Sequence, residues 1–131
     1  MTISMHSASA PVFARMLANL LTWLDKAEAH AAARKFDPSN YLGLRLAPDM
    51  LAFTRQIQIA SDAAKGCMAR LAGQEIPSWD DNEASLADLR ARVRRTIDYV
   101  SAFTAAQIDG SESRPISVPR RNAEPLQFDG E

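Results

Sequence analysis

The sequence predicts an all-α protein: an up-down helical bundle with three long helices and a short β-hairpin-like tail. Three observations carry this. Apolar residues recur at spacings of three and four across three segments, about 9–33, 48–71 and 81–104, which is the period of one helix face. Proline or glycine punctuates the joins at Pro38, Pro48 and Gly73. Beyond Gly110, Pro115, Pro119 and Pro125 exclude a helix.

In the first segment Pro11 suits an opening helical turn, where a missing N–H goes unnoticed. Phe13, Met16, Leu17, Leu20, Leu24, Ala27 and Ala31 share one face. Asp37–Pro38 breaks the helix, and one helical turn is expected around Ser39–Leu42. The second segment starts at Pro48. Met50, Phe53, Ile57, Ala60, Ala64, Cys67 and Leu71 then form a regular seam of the kind found in bundles, and Gly73 is the expected C-cap residue. In the third segment Asp80 and Glu83 have the spacing of a capping box. Leu86, Leu89, Val93, Ile97, Val100 and Phe103 supply its stripe. In the tail, 111–131, Ile116–Val118 and Leu126–Phe128 read as two short strands joined across Arg120–Glu124.

The bulk composition excludes several function classes. At 131 residues the chain reads as a single domain. Fifteen basic residues against 16 acidic ones, a net charge of −1, provide no field to attract nucleic acid or acidic lipid. One cysteine, Cys67, excludes an internal disulfide. No apolar run approaches a membrane span, and Met1–Ala10 has no signal-peptide pattern. The expectation is therefore a cytoplasmic protein with no nucleic-acid or membrane partner.

Four segments carry a resemblance to a known family: Ala8–Phe13, Leu24–Ala31, Arg45–Met50 and Gln56–Ala60. The run Pro48–Asp49–Met50 and the pattern Gln56-x-Gln58-x-Ala60 are its most specific parts. The chain resembles, over essentially its whole length, a bacterial domain-of-unknown-function family of the DinB-like four-helix-bundle superfamily. The resemblance implies a fourth long helix after the proline-rich tail, and the sequence ends at Glu131 where that helix would begin. A truncated bundle is the expectation. DinB-like proteins often hold a divalent metal through three histidines, one on the second helix and two on the fourth. That ligand set does not carry over, because the second segment contains no histidine. No metal or cofactor is expected.

Individual residues sharpen this only a little. His6 and His30 are the two histidines and show no metal-binding spacing. His30 follows Trp23 by seven residues and is expected to pack on it. Asp49 and Gln56 share one flank of the second segment and, with His30, are the candidates for a small polar pocket. Asp49 also has a plainer role as an acidic residue in a first helical turn. Arg90, Arg92, Arg94 and Arg95 spread around the third segment, with Asp88 and Asp98 at pairing distance, and read as a solvated face. Cys67, Met16, Met50 and Met68 read as packing residues.

Two functions are in play. The leading one is a non-catalytic bundle that self-associates as a homodimer. Leu21, Trp23 and Leu51 lie outside the main seams, and an incomplete bundle leaves apolar surface in water. Ile116, Val118, Leu126 and Phe128 are expected to fold over it as a partial lid. The alternative is an enzyme-like protein that binds a metal or small molecule at one end of the bundle.

Overall fold

A computed structural model describes residues 2–130; Met1 and Glu131, the last residue of the expected tail, lie outside the described residues. The chain is mostly helical and ends in one antiparallel hairpin. The first helix, α1, spans Met5–Arg34 and starts earlier than the prolyl signal suggested. Ser4 and Ser7 form a reciprocal box in which each side-chain oxygen accepts the other's backbone N–H, at 3.2 and 2.8 Å. Two orphan donors are thereby satisfied one turn ahead of Pro11, which falls inside the helix. Lys35, in a left-handed conformation with φ 57°, ends α1. The expected single turn follows as a 3-10 helix, Pro38–Tyr41. Asp37 caps it by accepting the Ser39 N–H at 2.8 Å, which holds the Asp37 carboxyl below its ordinary range.

The second helix, α2, is Phe53–Leu71, so Pro48 does not open it. Residues 42–52 form turns instead, closed by Met50 N–H on the Ala47 carbonyl and Phe53 N–H on the Leu44 carbonyl, at 3.0 and 2.8 Å. Asp49 therefore lies in an exposed turn and caps no helix. Gly73, just past the helix, takes φ 65°, the role expected of it. The third helix, α3, is Leu86–Ser101. Ser85, and not Asp80, caps it by accepting the Asp88 N–H at 3.0 Å. Asp88 in turn accepts the Ala84 N–H at 3.0 Å. Glu83 is engaged elsewhere, as described below. A single turn, α4 (Ala105–Ile108), follows.

The core lies between α3 and the two other long helices. Leu17, Leu24, Ile57, Met68, Leu86, Leu89, Val93, Val100 and Ile108 are buried there. Phe13, Leu20, Phe53 and Ile97 of the predicted core are only half-buried, and Ala60 is exposed. Helix α3 packs along both α1 and α2, whereas α1 and α2 barely meet.

The order of directions departs from a simple up-down succession. Arg90, early in α3, reaches Asp25 and Glu28, late in α1. His6, early in α1, bonds the Phe103 carbonyl beyond the end of α3. These two helices are antiparallel. Helix α2 instead runs parallel to α3: Gln58, near its start, bonds Glu83 just before α3, and Ser61 bonds Thr96 farther along. The connector 72–85 is long enough to run back beside α2, as a parallel pair requires.

The tail forms strands β1 (Ile116–Arg120) and β2 (Ala123–Phe128). Ile116 pairs with Phe128 and Val118 with Leu126, so these four share one face. The ladder is irregular between Val118 and Arg120, where Pro119 falls, and Pro125 has no place in the regular pairing of β2.

Candidate functional site

Three helices in which one touches both others, while those two barely meet, occupy three corners of a square. The fourth corner is open. It is a trough of about 450 Å³ between α1 and α2. Helix α1 contributes Phe13, Met16, Leu17, Leu20 and Trp23; α2 contributes Phe53, Gln56, Ile57, Ala60, Ala63 and Ala64. Gln56 is the one polar residue in this lining among the described residues. Met16 and Trp23 are 55% and 54% exposed, so Met16 is a groove residue and not core.

A second hollow of about 480 Å³ adjoins it at the start of α2. Its walls are Tyr41, Leu44, Arg45, Leu46, Met50, Leu51, Phe53 and Gln56. Phe53 and Gln56 belong to both hollows. The loop that forms the outer wall is tied down: Thr54 donates from both its backbone N–H and its hydroxyl to the Leu42 carbonyl, at 3.2 and 3.1 Å. Arg45 donates to the Met50 carbonyl at 2.9 Å.

The three candidate pocket residues separate. Gln56 stands at the junction of the two hollows and spends its amide N–H on the Leu51 carbonyl at 3.2 Å. His30 is exposed and lies behind the end hollow, hydrogen-bonded through Nδ1 to the Tyr41 hydroxyl. It packs edge-on against Phe36 and Tyr41 and not on Trp23, because the chain folds back at Pro38 and brings those rings to it. Asp49 lines neither hollow. Among the described residues, no three His, Cys, Asp or Glu side chains converge on one point. A three-histidine centre does not fit this chain. His6 and His30 sit on one helix, about 36 Å apart along its axis at 1.5 Å per residue.

The arginines of α3 divide: Arg94 and Arg95 are exposed, as a solvated face requires, and Arg90 is half-buried on Asp25 and Glu28. Arg92 is buried, and its guanidinium meets Asp62 at 3.0 Å, Asp81 at 3.0 Å, Glu83 at 2.8 Å and the Asp80 carbonyl at 3.0 Å. The expected Asp88–Arg92 pair is absent from that set; Asp88 is committed to the cap. Lys65 shares Asp62 at 3.0 Å, Arg55 joins Asp81, and Gln58 donates to Glu83 at 2.7 Å. Burial alone would raise the Glu83 carboxyl. The hydrogen bonds from Arg92 and Gln58 outweigh it and hold the group below its ordinary range. Trp79, on the connector, lies under the cationic groups of Lys65 and Arg95 at 4.5 and 4.2 Å. This hub clamps connector 72–85 onto α2 and α3.

The hairpin does not close the trough. Ile116, Val118 and Phe128 instead face Cys67, Arg70 and Leu71 near the end of α2, leaving a hollow of about 230 Å³. Cys67 is half-buried, and burial pushes its thiol up, as suits a packing residue. Among the described residues, no helix is long and apolar enough to cross a membrane.

Comparison with known families assigns this bundle. The family described as "Domain of unknown function (DUF1993)" matches residues 5–131. The chain belongs to this family. The DUF1993 chain is also similar to the crystal structure of a DinB family member protein from Shewanella denitrificans, with 39% identity and a TM-score of 0.83. That match covers 93% of this chain and 70% of the other. Ninety-three per cent of 131 residues is about 122, which is 70% of about 174, so roughly 50 residues of the relative lie outside the match. No curated protein matches the chain.

Proposed function

We propose that this DUF1993 chain acts as a non-catalytic association module, and that its partner across the α1–α2 trough is a second copy of itself. One observation carries the reading. The chain exposes 8537 Å², whereas a compact monomer of 14.4 kDa exposes about 6,800 Å². The excess, about 1,700 Å², exceeds the roughly 800 Å² that each partner buries in a standard interface.

A symmetric arrangement follows from helix α1. Val12, Met16 and Trp23 are exposed by 47%, 55% and 54% and lie along one side of the helix at spacings of four and seven. Laid antiparallel into the partner's trough, α1 of each copy takes the other's open corner, an isologous contact. The stretch from Phe13 to Trp23 supplies about 15 Å of groove.

Sedimentation equilibrium at micromolar concentration tests this. The expected result is a species of twice 14.4 kDa. Met16→Asp and Trp23→Asp should each yield a monomer with unchanged helical circular dichroism. A wild-type chain that stays at 14.4 kDa overturns the reading.

The second reading, an enzyme-like site for a metal or small molecule at one end of the bundle, has one observation in its favour. The end hollow carries Gln56 and Tyr41, with His30 on the Tyr41 hydroxyl. Stoichiometric zinc or nickel in the purified protein supports its metal form, and metal-free protein of full activity toward a found substrate supports its other form.

A further inference from the structure

The end hollow beside α2 differs from the trough in one respect that bears on what it takes. Its lining is apolar except for Tyr41, Gln56 and a single charged residue, Arg45. We infer that it binds a free long-chain carboxylate, with the alkyl tail against Leu44, Met50, Leu51 and Phe53 and the carboxylate on Arg45.

The outer wall explains the tail. Leu44, Leu46 and Leu51 are exposed by 54%, 94% and 49%, on a loop whose backbone is fixed by hydrogen bonds to α2. The wall is therefore pre-formed, and its apolar side chains are held in water ready to be covered. A loop forms one side and the first turns of a helix the other, so the hollow is short and irregular. A flexible chain fills such a space better than a second rigid helix does.

Charge explains the head. The Arg45 guanidinium donates through Nη1 to the Met50 carbonyl at 2.9 Å, which fixes it at the rim. Among the described residues it forms no ion pair. Arg55, Arg90 and Arg92 each hold at least one carboxylate, whereas Arg45 holds none and lines this hollow. A guanidinium with free parallel N–H groups beside an apolar hollow is matched to a carboxylate, which it grips in bidentate fashion. The inference does not depend on the dimer, since the hollow lies at the end of the trough and within one chain.

Calorimetric titration of the full chain with decanoate, 1-decanol and decyltrimethylammonium, each below its micellar concentration, tests it. Decanoate should bind one per chain and about tenfold or more tighter than either of the others. Arg45→Gln, at an exposed position, should lose that advantage while binding 1-decanol as before. Leu51→Glu should weaken all three. Equal affinity for the three head groups, full decanoate affinity in Arg45→Gln, or absence of saturable binding overturns the inference. Sedimentation of the same samples reads association separately: a dimer that ignores decanoate sinks the ligand and leaves the module standing, and a monomer that binds it does the reverse.

Discussion

Helix α2 has two very different sides. Toward α3 and connector 72–85 it presents Gln58, Ser61, Asp62 and Lys65, and each of them has a polar partner. Toward α1 it presents Phe53, Ala60 and Ala63, which line an open trough. The first side buries an arginine and closes itself. The second is apolar, simple in composition, and unfinished. A buried charge is costly unless it is paired, and the Arg92 Nη atoms meet four acceptors within their own chain. Apolar surface tolerates waiting for a partner.

The largest break in this comparison should come from Arg92→Ala. It strands Glu83, Asp62 and Asp81 without their common cation and releases the connector. A loss of about 3 kcal/mol is expected in urea unfolding, and Arg92→Met should recover part of it. Next, Ile57→Ala, at a core position that is 2% exposed, should cost about 2–4 kcal/mol. Ala60→Gln, one turn along on the trough wall, should cost the dissociated single chain less than about 0.5 kcal/mol. Equal costs for the two in dilute, dissociated protein would mean that the trough is closed within the single chain.

A third test uses pH. Glu83 is held below its ordinary range in the folded chain, so the unfolded state binds more protons as acid is added, and stability falls with falling pH. The contribution is complete above the unfolded value, about 4.3, and is lost as pH drops through the lower folded value. Thermal midpoints between pH 6 and 3 should show this fall, and Glu83→Gln should flatten part of it. A modest loss is expected at the cap. Ser85→Ala removes the acceptor for the Asp88 N–H and should cost about 1 kcal/mol.

The three helices and the hairpin were legible because their signals are periodic and local. The seam Leu86, Leu89, Val93, Val100 is buried as read. The helix starts were less legible. Capping is decided by which side chain wins a free N–H, and Ser4 and Ser85 outcompeted Pro11 and Asp80. The parallel course of α3 was hidden in the length of the 72–85 connector, which reads as an ordinary loop.

The charge hub was missed for a specific reason. Arg92 stands in a run with Arg90, Arg94 and Arg95, but the face it occupies is that of Leu89 and Thr96, at spacings of three and four. Gln58, Ser61 and Lys65 repeat the same spacing on α2. Two polar stripes adjoining two apolar seams were the available signal. Gln56, which lines both hollows, was legible from its flank position. Arg45 and the leucines around it were not, because an apolar loop has no period to read.

The two prolines of the hairpin have a consequence for how this chain behaves when crowded. Both strands are edges, and Pro119 and Pro125 each remove a backbone N–H from them. A foreign strand laid alongside either edge meets a gap in the row of donors and a distorted ladder. Concentrated chains should therefore stick through their helical grooves, reversibly and with helical circular dichroism retained, and should not convert into cross-β fibres.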